Sequence, residues 1–258
     1  MTDQPALPNT REIARWDRWE RLTAPVTVHL MADARLEPGE KVADVGCGGG
    51  RATFAAAEVV GESGSVVAFD VSRDALDTVK TRSAERGVTN VVTAQGDVQR
   101  DGIPGGPFDV VLNQFGLTFV SDLALTFRRM GEQLRPRGRC VFASWAGAER
   151  NPLLPVPLLA PFRQSAPDES PFTMADEQWT ARLLRDAGFA RVSSRTVEAV
   201  HTVPLDVVFD ESMLTRAGVI GEALEHARRD INALLARYEV DGGLAVPLVF
   251  HVFSAVRP

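Results

Sequence analysis

The run Lys41-Val42-Ala43-Asp44-Val45 passes without a spacer into Gly46-Cys47-Gly48-Gly49-Gly50, and an alanine-rich stretch from Ala52 to Val60 follows. A short apolar run ahead of a glycine cluster predicts a buried strand, the cluster a tight turn, and the alanine stretch a helix. Glycine is needed where the chain turns sharply and a ligand touches bare backbone. The start of the next helix offers unpaired N–H groups and a positive dipole end. A chain built around this unit is directed to a fold in which parallel strands alternate with helices. The pattern D-x-G-x-G-x-G by itself serves several nucleotide ligands, so its surroundings must decide among them.

The alternation continues. Ser65 to Asp70 predicts a second strand, Ser72 the N-cap of a helix through Arg86, and Asn90 to Gln95 a third strand. Phe108 to Asn113 is a nearly unbroken apolar run, as in sheets covered on both faces. Ser121 predicts the cap of a helix with the stripe Leu123, Phe127, Met130 and Leu134; Arg135 to Gly138 reads as a turn and Arg139 to Trp145 as a fifth strand. Upstream, Ile13, Trp16, Trp19 and Leu22 recur at every third position in a helical segment from Ile13 to Leu36 that breaks at Pro25.

Beyond Asn151 the pattern changes. Prolines at 152, 155, 157, 161, 167 and 171 exclude a long helix or a central strand, yet the intervening Leu, Val and Phe predict packing over another surface. Thr173 with Asp176 reads as a capping box for a helix with Trp179, Leu183 and Leu184 inward. Arg191 to Val200 reads as a strand, and Leu205 to Arg216 as a helix of weaker periodicity. Gly218 to Tyr238 is an amphipathic helix stepping through Ile220, Leu224, Ala227, Ile231, Leu234 and Tyr238, and Leu244 to Val256 is a closing strand. The expected division is a helical cap over 1–36, a cofactor-binding core over 37–146 and a proline-rich lid insertion over 147–175. The rest of the core, 176–258, carries a second helical lid insertion at about 205–238.

Two carboxylates sharpen the glycine loop. Asp70 closes the second predicted strand, where an acid accepts both hydroxyls of a ribose or, alternatively, caps the next helix. Asp97, in Gly96-Asp97-Val98 after the third strand, can accept from an adenine amino group while Val98 packs on the ring. A nucleoside held by acids, with no Lys or Arg within the loop to take phosphates, fits a cationic, phosphate-free cofactor such as S-adenosylmethionine. Arg51 stands where a G-x-G-x-x-G dinucleotide fingerprint requires its third glycine, which counts against a nicotinamide oxidoreductase.

The runs VADVGCGGG, VVAFD, QGDV, FDVVLNQFGLTFV and LRPRGRCVFASW together resemble the class I S-adenosylmethionine-dependent methyltransferases, most of all the ubiquinone/menaquinone-biosynthesis-type small-molecule branch. The resemblance implies a doubly wound, mostly parallel seven-stranded sheet of order 3-2-1-4-5-7-6 with strand 7 antiparallel, and a helical lid. It places Gly46, Gly48 and Gly50 along the cofactor's methionyl part, Asp70 on the ribose, Asp97 and Val98 on the adenine, and Asn113 by the methionyl group and the transfer site. Asp44, Cys47, Val71 and Gly96 complete the candidate cofactor set, with S-adenosylhomocysteine as product. The same fold and cofactor without methyl transfer is the alternative, because the transfer step needs no signature residue.

Substrate-facing candidates are Trp16 and Trp19, which flank a ligand or pack between helices, together with Phe115, Phe119 and Trp145 at the ends of the fourth and fifth strands. His29 and His201 fall in lid-forming regions and are the general-base candidates; each is otherwise structural. His226 is expected on a solvated helix face and His251 within the sheet. No His/Cys/Asp cluster has metal-ligand spacing. The formal charge of -6 argues against nucleic acid, which requires a basic surface. The chain has no apolar run near the roughly 18–20 residues of a membrane span. Two distant cysteines and the absence of a leader-like N-terminus predict a cytoplasmic protein. The expected partner is a small acceptor, apolar or aromatic, with a homodimer left open.

Overall fold

The computed structural model describes residues 10–162, 170–210, 213–214 and 217–258. Two helices precede the sheet, α1 (Thr10–Leu22) and α2 (Ala24–Ala34), with Pro25 in the first turn of the second, where its missing N–H has no cost. The core then runs β1 (Lys41–Val45), α3 (Arg51–Val60), β2 (Ser65–Asp70), α4 (Arg73–Arg86), β3 (Val91–Gln95), β4 (Phe108–Gln114), α5 (Leu123–Gln133) and β5 (Leu134–Trp145). The five-residue α6 (Pro155–Leu159) begins on a proline, and α7 (Glu177–Asp186) leads into β6 (Ala190–Val203). A short α8 (Leu205–Val208), α9 (Glu222–Leu235), β7 (Glu239–Val240) and β8 (Gly243–Val256) complete the order.

The sheet runs β3-β2-β1-β4-β5-β8-β6, with the two-residue β7 paired to β8. With that small ladder set aside, the order is the expected 3-2-1-4-5-7-6. β1 to β5 pair in parallel, and β8 runs antiparallel between β5 and β6. Strand alternation divides the core into two layers. Val42, Val110, Leu112 and Val141 face the cluster with Leu30 of α2, Ala56 of α3 and Ile231 of α9. Ala43, Val111 and Phe142 face the cluster with Phe127 and Met130 of α5 and Leu184 of α7. Among the described residues no helix is long and apolar enough to cross a membrane.

Several local expectations are corrected. Asp122, not Ser121, caps α5 by accepting from the Leu125 N–H at 2.8 Å, while the Ser121 hydroxyl donates to Gln99. Asp176 itself caps α7 through the Trp179 N–H, and Thr173 turns instead to the Ser170 carbonyl. Arg135 to Gly138 does not end a turn before β5 but lies inside it, where the register jumps from Phe108–Leu134 to Val110–Arg139. Ile220 lies outside α9 and is 71% exposed; the inward residues are Ala227, Ile231 and Leu235. Of the helix expected over 205–216, Leu205–Val208 forms, and 211–212 and 215–216 lie outside the described residues. So do residues 1–9 of the expected cap and Pro167 of the proline-rich segment.

Candidate active site

The glycine loop is pinned to the end of β2. The Gly46 and Cys47 N–H groups both point at the Phe69 carbonyl, at 2.7 and 3.3 Å. The Gly48 N–H donates to Asp70 Oδ2 at 3.0 Å, and the Ser72 N–H donates to Asp70 Oδ1 at 2.8 Å. Asp70 therefore acts as a brace between loop and α4, and each oxygen keeps a further lone pair to offer a ligand hydroxyl. Ser72 caps α4 itself, accepting from the Ala75 N–H.

Asp44 points inward from β1 beneath the loop. It is 1% exposed; Oδ2 accepts from the Thr53 hydroxyl at 2.6 Å, and Oδ1 is buried with no partner. Burial pushes its carboxyl up to about 6, with neighbouring Asp70 adding to the effect. An ionised acid in that position wants a donor. The Cys47 thiol is held well above its ordinary range, first by burial and then by the charges of Asp44 and Asp70, so it is present as a small apolar filler.

Past β3, Gly96 lies so close to Phe69 that a side chain there would stand 2.6 Å from the ring. Asp97 Oδ1 accepts from the Gln99 N–H, and Oδ2 pairs with Arg100 at 3.3 Å. Val98 is buried, whereas Val71 is exposed. Asn113 at the end of β4 donates to the Val45 carbonyl at 2.5 Å and accepts from the Leu117 N–H, so it ties the loop's entry to the turn after β4.

The methyltransferase domain family matches residues 36–188 of this sequence. Aklanonic acid methyltransferase of Streptomyces sp. (strain C5) is 28% identical over 173 residues, 61% of this chain and 78% of that protein. Demethylmenaquinone methyltransferase of Staphylococcus aureus (strain JH9) is 28% identical over 195 residues, 67% of this chain and 78% of that protein. The crystal structure of a SAM dependent methyltransferase from Aquifex aeolicus superposes with a TM-score of 0.61 at 18% identity, over 96% of this chain and 98% of that one.

The chain belongs to the methyltransferase domain family. Its cofactor is S-adenosylmethionine, and the nicotinamide alternative is set aside. The residues in place fit that cofactor on their own terms. The partnerless Asp44 Oδ1 suits a cationic donor, and the bare Gly46–Gly50 backbone carries no phosphate-binding side chain within the turn.

In the methyltransferase, α1 packs directly on this loop. Trp16 of α1 packs on Gly48, where an added Cβ would stand 2.7 Å from the indole Cζ3, and its buried Nε1 has no partner. Arg82 of α4, 7% exposed, reaches across to Glu20 at 2.6 Å, to Asp17 at 2.5 Å and to the Gly49 carbonyl. At the other side α1 is tied to the segment after β6 by the Arg18–Asp210 pair and by Arg21 with Asp206 at 3.9 Å. A surface cavity of about 440 Å³ between α7 and β6, lined by Glu177, Arg182 and Ser194, includes none of these residues.

Beside the loop, Phe115 and Trp145 stack with centroids 3.9 Å apart and planes 7° off parallel, and Trp19 meets both edge-on at 6.2 and 6.0 Å. Phe115 has a φ of 65°, a strained conformation for a bulky residue. Phe119 does not join them; the short turn from Gly116 delivers it to solvent, 77% exposed.

Neither base candidate reaches the loop. The His201 ring shares a 2.9 Å hydrogen bond with the Arg21 carbonyl at the end of α1. His29 lies against Phe250 and 3.3 Å from the Arg195 guanidinium, and burial followed by that charge holds it below its ordinary range. Sequence reasoning passed over Thr53, Glu20 and Arg82. The last was visible: Leu76, Val79 and Arg82 share one face of α4, and a charge on an inward face needs a buried partner.

Proposed function

We propose that this methyltransferase passes the methyl group of S-adenosylmethionine to a small acceptor whose planar, apolar body lies against Trp19, the partly exposed member of a cluster whose other two rings, Phe115 and Trp145, are buried behind it. The observation that carries this reading is the placement of the cluster. Phe115 follows directly on Asn113-Gln114, and Asn113 bonds the strand that enters the glycine loop. The partly exposed Trp19 indole, held edge-on by the buried Phe115–Trp145 stack, offers a second ring contact area and a geometric preference. Similar proteins named for aklanonic acid and demethylmenaquinone support a small acceptor.

The cofactor supplies a methyl group activated on a sulfonium. The chain's part is placement: Gly46, Cys47, Gly48 and Gly50 line the methionyl arm, Asp44 faces its ammonium, Asp70 with Val71 takes the ribose, and Gly96, Asp97 and Val98 take the adenine. Holding a nucleophile in line with the S–CH₃ bond is the chain's main lever on the rate, since well-oriented intramolecular reactions reach effective molarities of about 10⁵–10⁸ M. α1 excludes water over the reacting centre. With His29 and His201 committed elsewhere, the fitting acceptor is one already nucleophilic near neutral pH, such as an acidic hydroxyl, a carboxylate or an activated carbon. Two free, buried cysteines support a reducing, cytoplasmic setting. The described parts of 1–36, 147–175 and 205–238 act as the lid of a core formed by the rest of the described residues.

The test is turnover with S-adenosylmethionine against two acceptor panels, planar quinols and hydroxyquinones in one and flexible polar amines in the other, read as S-adenosylhomocysteine by mass spectrometry. Product with the planar panel is expected. Product confined to the amines would overturn the assignment of the aromatic cluster.

A further inference from the structure

The amino-acid end of the cofactor carries two opposite charges, and the geometry around Asp44 answers only one of them. Asp44 Oδ1, buried and partnerless, suits the ammonium. The loop region holds two guanidinium groups that could meet the carboxylate. Arg82 is excluded because its contacts are already committed to Glu20, Asp17 and the Gly49 carbonyl.

Arg51 is differently placed. It is the first residue of α3, immediately after Gly50, and shares that helix's opening turn with Thr53, which holds Asp44. Its Nε donates to the Thr27 hydroxyl at 3.1 Å, and that hydroxyl donates in turn to Gln114 Oε1 at 2.8 Å. Thr27 is buried and Gln114 ends β4, so the stem of the guanidinium is fixed between α2 and the strand carrying Asn113. Among the described residues its two Nη atoms make no hydrogen bond. The Arg51 charge nevertheless reaches Glu20 on α1, whose carboxyl it helps hold down against burial.

We propose that Arg51 binds the carboxylate of the cofactor's methionyl group, forming with Asp44 a two-sided reader of the amino-acid zwitterion. The assignment rests on the cofactor reading of the glycine loop. A guanidinium with Nε anchored and both Nη groups unengaged presents two parallel donors, the geometry that a carboxylate accepts in bidentate form. The α3 N-terminus beside it contributes a field of the same sign. A guanidinium in this position also accounts chemically for the departure from the dinucleotide fingerprint, which places a glycine where α3 must approach a pyrophosphate.

The test is a comparison of two ligands by titration calorimetry, needing no acceptor and no turnover. S-adenosylhomocysteine carries the carboxylate; its decarboxylated analogue, S-adenosyl-3-thiopropylamine, lacks it and keeps the ammonium. Arg51→Met is expected to weaken S-adenosylhomocysteine at least tenfold while changing the analogue less than twofold. Arg51→Lys, which keeps the charge without the fork, is expected to fall between on the first ligand only. Equal weakening of both ligands, or no change in either, would overturn the assignment, the latter leaving the guanidinium to face the acceptor. Failure of the unsubstituted protein to bind either ligand would instead overturn the cofactor reading itself. Matching thermal midpoints of the variants exclude a folding defect as the source of the difference.

Discussion

Trp16 and Gly48 are in direct contact, and the contact leaves no room for a side chain: a Cβ on the glycine would stand 2.7 Å from the indole ring, on a backbone with φ of 53°. The loop's conformation and the seating of α1 are thus one structural unit. Gly48→Ala should destabilise the protein twice over, by about 1–2 kcal/mol for the left-handed backbone and by about 1–3 kcal/mol for overpacking. Denaturant titration of Gly48→Ala, Trp16→Ala and the double variant separates the two. The double variant should recover the steric part and keep the backbone part. Simple additivity would mean that the indole and the glycine do not meet.

Arg82 fastens α1 to α4. Its partner Glu20 is 14% exposed and has its carboxyl raised, mainly by burial, with the Arg82 charge opposing. Removing one side of a buried pair strands the other, at a cost of about 3–5 kcal/mol, while replacing both by apolar groups is often neutral. Arg82→Met should therefore loosen α1, seen as faster amide hydrogen exchange in Thr10–Leu22, and Arg82→Met with Glu20→Met should restore much of the protection. Exchange that is unaltered in the single variant would show that the pair does not hold α1.

The core was legible because its signals are local. The parallel strands are short runs rich in apolar residues, the first three end on or next to a glycine or acid, and the acids at positions 44, 70 and 97 follow from those strand ends without any tertiary information. What escaped was set by distant packing. Asp122 outcompeted Ser121 as a cap because Gln99, 22 residues before Ser121, accepts from the serine hydroxyl. His201 is drawn to a carbonyl on α1, a contact across 180 positions that no periodicity encodes. Phe119 follows the expected strand but leaves it through a turn whose direction depends on the Asn113 side chain. In the sequence Arg51 stands out only as a missing glycine, since a sequence shows what a fingerprint lacks before it shows what the substitute touches.

Asp70 links the loop to α4 while offering its remaining lone pairs to a ligand. Replacing it by alanine removes acceptors for two backbone N–H groups and for the ribose together. Loss of hydrogen bonds to a charged group costs about 1.5–3 kcal/mol, equivalent to about 10- to 150-fold weaker binding of S-adenosylhomocysteine by calorimetry. Asp70→Asn keeps one carbonyl acceptor and should lose less. Unchanged affinity in Asp70→Ala would remove the ribose from this position.

Asp44 should make cofactor binding depend on pH. Its carboxyl sits at about 6 in the folded protein, against 3.8 for the ordinary side chain, a difference of about 3 kcal/mol by linkage. The folded state then binds more protons than the unfolded one between these two values. This group's contribution to stability is accordingly full below about pH 4 and is lost as pH rises through about 6, where the ionised oxygen lies buried beside Thr53 with no donor on Oδ1. A cationic ligand reverses the preference, since its ammonium stabilises the ionised form. Affinity for S-adenosylhomocysteine should rise as pH increases from 5 to 7, and Asp44→Asn should bind more weakly with a flat profile across that range. Calorimetry at a series of pH values tests both, and a pH-dependent rise that persists in Asp44→Asn would assign the titration to another group.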